Sequence, residues 1–221
     1  MATMYEMIMD LPLFKGVSKE QVSSFLEKTN INFVNFAPGE KIVSKGDEVT
    51  MVKFVISGKV CVIHSLRGCG INVEEICAHG KVLGADRLYG MSTGYSCDVI
   101  ASEKTSIMEF RKDQYVRLIN SDHIYLLNFF NYLSRRAQRP VEAVEDYSGG
   151  DLKSRLSVLL SVLTDPDSIS ISVRSSVEDL ADYASKDVGS VREWLDKLSA
   201  EGVAEYQDGE LRIKSRSAFL S

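Results

Sequence analysis

The residues best placed to do chemistry lie between Ser176 and Leu198, in the run SVEDLADYASKDVGSVREWLDKL. Val177, Leu180, Ala181 and Ala184 recur at helical spacing. Ser185-Lys186-Asp187 interrupts them, and Val191, Trp194, Leu195 and Leu198 then repeat at i, i+3, i+4, i+7. Asp187 is suited to cap the second helix through its side-chain oxygen. A short helix, a polar turn and a longer amphipathic helix make the pattern of a helix-turn-helix, whose second helix enters the DNA major groove. An ordinary helical hairpin has the same pattern. The chemistry on offer is hydrogen bonding and charge. Ser190 and Arg192 suit bases or phosphates, Val188 a thymine methyl, and Lys186 and Lys197 the groove side, while Gly189 weakens the helix. The histidines, His64, His79 and His123, fall in separate elements with no nucleophile elbow, P-loop or metal spacing, so an enzyme is not expected.

The next segment decides between the two patterns. Val203–Tyr206 and Leu211–Ile213 are short alternating runs around Asp208-Gly209, the strongest short-range hairpin signal. Gly202, after Glu201, fits a helix stop that needs positive φ. The whole predicts a winged helix-turn-helix, with Arg174, Arg212 and Lys214 available to flanking phosphates. Charge opposes DNA binding. From Asp151 to Ser221 there are nine Lys and Arg against thirteen Asp and Glu, a net of −4, whereas a nucleic-acid binder presents a basic patch.

The 221 residues are 44% hydrophobic and 26% charged, with net charge −5, which suits one or two globular domains with real cores. The first residues, MATMYEMIMDLPLFKG, lack a basic region followed by an apolar run, so no secretion signal is expected. No window approaches the ~20 apolar residues of a membrane helix. Cys61, Cys69, Cys77 and Cys97 form no C-x-x-C pair, which argues against a disulfide framework or zinc site and for a reducing cytoplasm, with no membrane partner.

Residues 4–30 read as short helices, with Ser18 and Gln21 as a capping box. From Ile31 to Phe110, short alternating runs separated by glycine turns predict an antiparallel sandwich or barrel. Strands are expected at Ile31–Phe36, Lys41–Val43, Val52–Ser57, Lys59–Ser65, Ile71–Cys77, Ser96–Ala101 and Thr105–Phe110. Lys112 to Tyr147 is mainly helical. Leu126, Phe130, Leu133, Ala137, Pro140, Val144 and Tyr147 form a heptad seam in which Pro140 should kink or split the helix. Ser148-Gly149-Gly150-Asp151 reads as a hinge.

Phe36-Ala37-Pro38-Gly39-Glu40, Gly46-Asp47-Glu48 and Phe54-Val55-Ile56-Ser57-Gly58-Lys59-Val60 resemble the β-roll of cyclic-nucleotide-binding domains. With the winged helix-turn-helix, nearly the whole chain is similar to the CRP/FNR-type bacterial transcription regulators. The resemblance implies an α+β chain in three parts. These are an antiparallel β-roll sensor (a double-stranded β-helix) at 1–120, a dimerisation helix at 121–148 and a winged helix-turn-helix at 149–221. It implies a homodimer joined through Leu126, Phe130, Leu133, Ala137 and Val144. Its partners would be a double-stranded DNA operator, RNA polymerase and a small effector.

In that family a Gly-Glu pair and a downstream Arg-Ser hold the ligand's ribose and phosphate. The matching stretch is Gly84-Ala85-Asp86-Arg87-Leu88, then Tyr95-Ser96-Cys97. Ala85 stands where the Glu is expected and Tyr95 where the Arg is expected. Losing the Arg removes a charge-assisted contact worth roughly 1.5–3 kcal/mol. Cyclic AMP is therefore not the expected ligand; another effector, or none, is. Haem members carry a Cys-x-His pair, but Cys77 and His79 lie before the cassette and read as a buried Cys and a turn His. The N-terminal cysteines of iron–sulfur members are absent, so no cofactor is expected. In the reading helix, Val188 and Gly189 replace the family's Arg and Glu, so the family's operator is not inherited. The alternatives are a protein-interaction module on the same fold that does not bind DNA, and a conventional cAMP-responsive regulator.

Overall fold

The computed structural model describes residues 3–145 and 150–220. Tyr147 and most of the expected hinge, Ser148 and Gly149 included, lie outside the described residues. The chain is α+β with antiparallel sheets, as the strand pattern predicted. By contact it forms two units, Met1–Val60 with Ala78–Ala137, and Cys61–Cys77 with Gln138–Ser221. This differs from a linear division at residues 120 and 148, because the hairpin Cys61–Cys77 takes its neighbours from the C-terminal part of the chain.

The first unit begins with α1 (Met4–Met9) and α2 (Lys19–Lys28). The Ser18–Gln21 capping box forms as expected, with Ser18 Oγ accepting from Gln21 N and Gln21 Oε1 from Ser18 N. One antiparallel sheet orders β1 (Asn32–Phe36), β8 (Thr105–Arg111), β3 (Met51–Ser57) and β6 (Val82–Leu83). β2 (Lys41–Val43) pairs with β7 (Asp98–Ala101). Seven expected strands form with boundaries shifted by two residues or fewer. Two-residue β6 was not legible, being too short to alternate.

Side-chain alternation divides β3. Val52 and Phe54 are fully buried on one face, where Phe54 stacks on Phe110 and meets Phe14 edge-on. Lys53 lies on the other face, opposite Glu109 of β8. The aromatic core continues from Phe25 through Phe110 and Tyr115 to Phe129, with ring centroids 5.2, 6.0 and 5.4 Å apart. Tyr115 belongs to α3 (Lys112–Ser121) and Phe129 to α4 (His123–Glu145), which breaks from α3 at Asp122. α4 runs unbroken through Pro140. The expected split does not occur; the lost N–H removes one hydrogen bond, and the turns on either side carry the helix across.

The second unit holds the hairpin, with β5 (Asn72–Cys77), and then α5 (Leu152–Leu163), β9 (Ser170–Arg174), α6 (Val177–Ala184), α7 (Val188–Ala200), β10 (Ala204–Gln207), β11 (Glu210–Ile213) and α8 (Arg216–Leu220). β9 lies between β11 and β5, and its β5 partners run from Asn72↔Arg174 to Ile76↔Ser170. Ile71 and Val73 of the hairpin share one core with Leu156, Leu180, Leu195 and Leu211. Buried Glu75 fixes the turn before β9 by accepting from the Asp165 N–H, 2.6 Å away, and from the Ser168 hydroxyl. The wing turn is as expected: Asp208 and Gly209 both take positive φ, 51° and 79°, which a two-residue hairpin of matching twist requires.

Candidate functional site

The sensor cassette is built on Gly84, whose φ of 74° leads from β6 into a 3-10 turn, Ala85–Arg87. A Cβ at Gly84 would lie 2.6 Å from Tyr95 Cε1 and 3.1 Å from Val49 Cγ1. Tyr95 therefore packs its ring directly on the glycine. It is 7% exposed, and its hydroxyl is buried without a hydrogen-bond partner. Burial pushes the Tyr95 hydroxyl's pKa well up, and the nearby Glu109 carboxylate adds to the rise. Ala85 and Leu88 are buried, while Ser96 and Cys97 are half-buried. Asp86 is held by Arg136 of α4 at 3.2 Å and by Arg87 at 3.8 Å, and Arg87 also donates to Ser92 Oγ. Lys53 and Glu109 form an ion pair within the β3–β8 ladder, with side chains only 15% and 12% exposed.

Within the cassette the Tyr95 ring is seated on Gly84, at the position where the resemblance placed an arginine. Gly84→Ala should cost about 1–3 kcal/mol, because it combines an unfavourable φ with the Tyr95 contact. That is a fall of roughly 2–10 °C in melting temperature, read by calorimetry. Unchanged melting would contradict this packing.

Two other expectations concerned cysteine. Cys77 is buried in β5 with its Sγ 3.9 Å from Ser168 Oγ, and His79 Nδ1 donates to the Ile56 carbonyl at 2.9 Å. Burial and the Glu74 charge push the Cys61 thiol up to about 11, which leaves it protonated and weakly reactive.

In the reading head, Ser176 caps α6 and Asp187 caps α7 by accepting from Ser190 N at 2.9 Å. Hydrogen bonding to Ser190 holds the Asp187 carboxyl below its usual range. Ser190 also donates its hydroxyl to Asp187, so a contact to DNA has to displace that bond. Val188, expected to suit a thymine methyl, is half-buried against the core. The exposed stripe of α7 is Gly189, Arg192, Glu193 and Asp196, with Ser190 and Lys197 beside it. Glu193 lies opposite Val191, Leu195 and Leu198 in the helical repeat, which accounts for its exposure.

The expected phosphate contacts are mostly engaged. Arg192 lies 3.9 Å from Glu178, Lys197 3.9 Å from Glu201, Arg212 3.1 Å from Glu210 and Lys214 2.8 Å from Glu205. Arg174 donates to Glu74 of the hairpin at 2.9 and 3.5 Å. Lys186 is exposed and has no ion pair among the described residues. Exposed pairs of this kind contribute about 0–1 kcal/mol each, so a phosphate can displace them.

Residues 33–122 match the family model described as the cyclic nucleotide-binding domain. Among solved structures, the chain is similar to the catabolite activator protein of Thermus thermophilus, with 22% identity and a TM-score of 0.53 over 94% of this chain and 96% of that one. It is also similar to the c-di-GMP responsive global regulator CLP of Xanthomonas campestris. That likeness has 17% identity and a TM-score of 0.54 over 90% of this chain and 100% of the other. No curated protein matches the chain by sequence. The chain shares the fold of these two regulators, and residues 33–122 that of the cyclic nucleotide-binding domain.

On this fold, α4 buries Tyr125 and Phe129 on one side and leaves an apolar seam on the other. Leu127, Phe130, Val141 and Val144 are 59%, 53%, 58% and 65% exposed, and Ser134 and Ala137 complete a 3-4 repeat. Phe130, Ala137 and Val144 stand in the expected seam. Leu126 and Leu133 are instead half-buried, and Leu127 and Val141 take the exposed positions.

Proposed function

We propose that the chain is a homodimeric, sequence-specific DNA-binding transcription regulator whose cassette does not take a cyclic nucleotide and which answers to another effector or to none. The observation that carries this reading is the reading head. A capped α7 with an exposed polar stripe stands beside a type I′ wing, on one core shared with α5, α6 and β9. Such a head places a helix in the major groove and a hairpin on the neighbouring backbone. Glu193 could accept from a cytosine amine and Arg192 donate to a guanine edge. Lys186, Arg212 and Lys214 serve phosphates. The exposed seam of α4 supports the dimer, because a 3-4 apolar repeat on one helix is buried by a second copy. A dimer on an operator could then contact RNA polymerase. The fold's catabolite-activator relative and the buried Tyr95 together support a sensor whose ligand has changed.

A second reading, a protein-interaction module without DNA binding, is favoured by the carboxylates paired with Arg174, Arg192, Lys197, Arg212 and Lys214. A gel shift with the protein's own upstream DNA separates the two. A retarded band at low salt is expected, and none at any protein concentration would favour the module. For the cassette, calorimetric titration with cyclic AMP and cyclic GMP should give no binding heat; micromolar affinity for either would overturn the proposed loss of the cyclic-nucleotide site.

A further inference from the structure

The cleft between α2 and α3, in the first unit, has a volume of about 460 Å³, within the range of small-molecule sites. Its floor is apolar: Phe25, Leu118 and Tyr125 are all nearly buried. Each wall carries one cation, Lys28 on α2 and Arg117 on α3. Among the described residues Lys28 has no ion pair, and Arg117 pairs with Asp113 at 3.0 Å. The acid on the lining, Asp122, is occupied by accepting from Gln21 Nε2 at 2.8 Å and from Ile124 N at 3.0 Å. The lining is thus net positive, with two cations against one acid, above an aromatic and aliphatic floor.

We propose that this cleft binds a small anionic molecule with an apolar body, such as an aromatic or short-chain carboxylate, sulfonate or phosphate. The two cations would hold the anion from opposite walls by charge-assisted hydrogen bonds, and the body would lie on Phe25 and Leu118. The cassette lacks that pairing of cation and open floor, since Tyr95 fills it. The site also adjoins a helix that matters to the function proposed above. Tyr125 is a residue of α4, and Phe25 starts the aromatic row that ends at Phe129 on the same helix. An occupant therefore touches the helix that carries the exposed seam. The proposal deepens the effector half of that reading, while binding in the cleft stands without it.

The probe is 8-anilinonaphthalene-1-sulfonate, an anionic aromatic molecule whose fluorescence rises on entering an apolar site. With the full chain we expect saturable binding at one site per protomer. K28E/R117E should weaken it at least tenfold, while K59E/K104E, the same charge change elsewhere in the unit, should not. Ser24→Trp, which fills the cleft without changing charge, should also weaken it and serves if the first variant fails to fold by circular dichroism. No saturable binding to the wild type, or equal binding by all variants, overturns the proposal. DNA affinity, measured separately on the same preparations, reports on the regulator reading alone.

Discussion

Lys53→Met should destabilise the first unit by about 3–5 kcal/mol, because it leaves the Glu109 carboxylate buried without its cation. Both side chains are largely withdrawn from water, and they face one another across β3 and β8. At this size that corresponds to a fall of roughly 6–20 °C in melting temperature. The pair itself is a different matter. Removing two charges from water costs nearly as much as their attraction returns, so K53M/E109L should recover most of the loss. Thermal melts of the wild type, both single variants and the double variant form a complete cycle. Additive losses in the double variant would show that the two side chains do not act as a pair.

Phe130→Glu should produce the largest functional loss. It sets a charge in the middle of the exposed α4 seam, where Leu127, Ala137 and Val141 continue the stripe. If two copies meet there, one unpaired carboxylate per chain is buried in an apolar contact. Sedimentation should then shift from twice the chain mass to the single-chain 24.6 kDa. DNA affinity should fall by about 100-fold or more, since a monomer loses the second, effectively intramolecular half-site. Ser134→Glu lies on the same stripe and should act in the same direction. Unchanged sedimentation in both variants would place the dimer contact elsewhere.

The elements that the sequence announces most clearly are those whose signals are local. Asp208-Gly209 demands positive φ twice in succession, and only a tight hairpin accepts that. Asp187 and Ser18 stand where a cap must stand, so those helix starts could be read directly, whereas the Ser176 cap of α6 came only with the structure. The seam of α4 was legible only in part. Leu126 and Leu127 are adjacent leucines, and both registers share Phe130, Ala137 and Val144. The choice depends on Tyr125 and Phe129, which pack against Phe14 and Tyr115 from distant segments.

The cassette's substitutions at Ala85 and Tyr95 were visible by position. Their consequence, a ring seated on Gly84, needed the fold. Lys53 and Glu109 each interrupt an apolar strand, which is a signal, but their partnership depends on the β3–β8 register. The pairing of β5 with β9 joins residues some hundred positions apart and leaves no local trace. It explains why the Cys61–Cys77 hairpin groups with the reading head, and why Arg174 meets Glu74 there.

DNA binding by α7 and its wing, despite the acidic balance around them, is the central claim. The most direct measurement is fluorescence anisotropy of labelled upstream DNA titrated with the full chain at 50 and 200 mM salt. The prediction is two chains per duplex at low salt and an affinity that falls by about tenfold or more at the higher salt, as displaced counterions require. Lys186→Ala should flatten that salt slope by about two contacts, one from each chain. An unshifted anisotropy at 50 mM salt, with protein shown to be folded, would contradict the account.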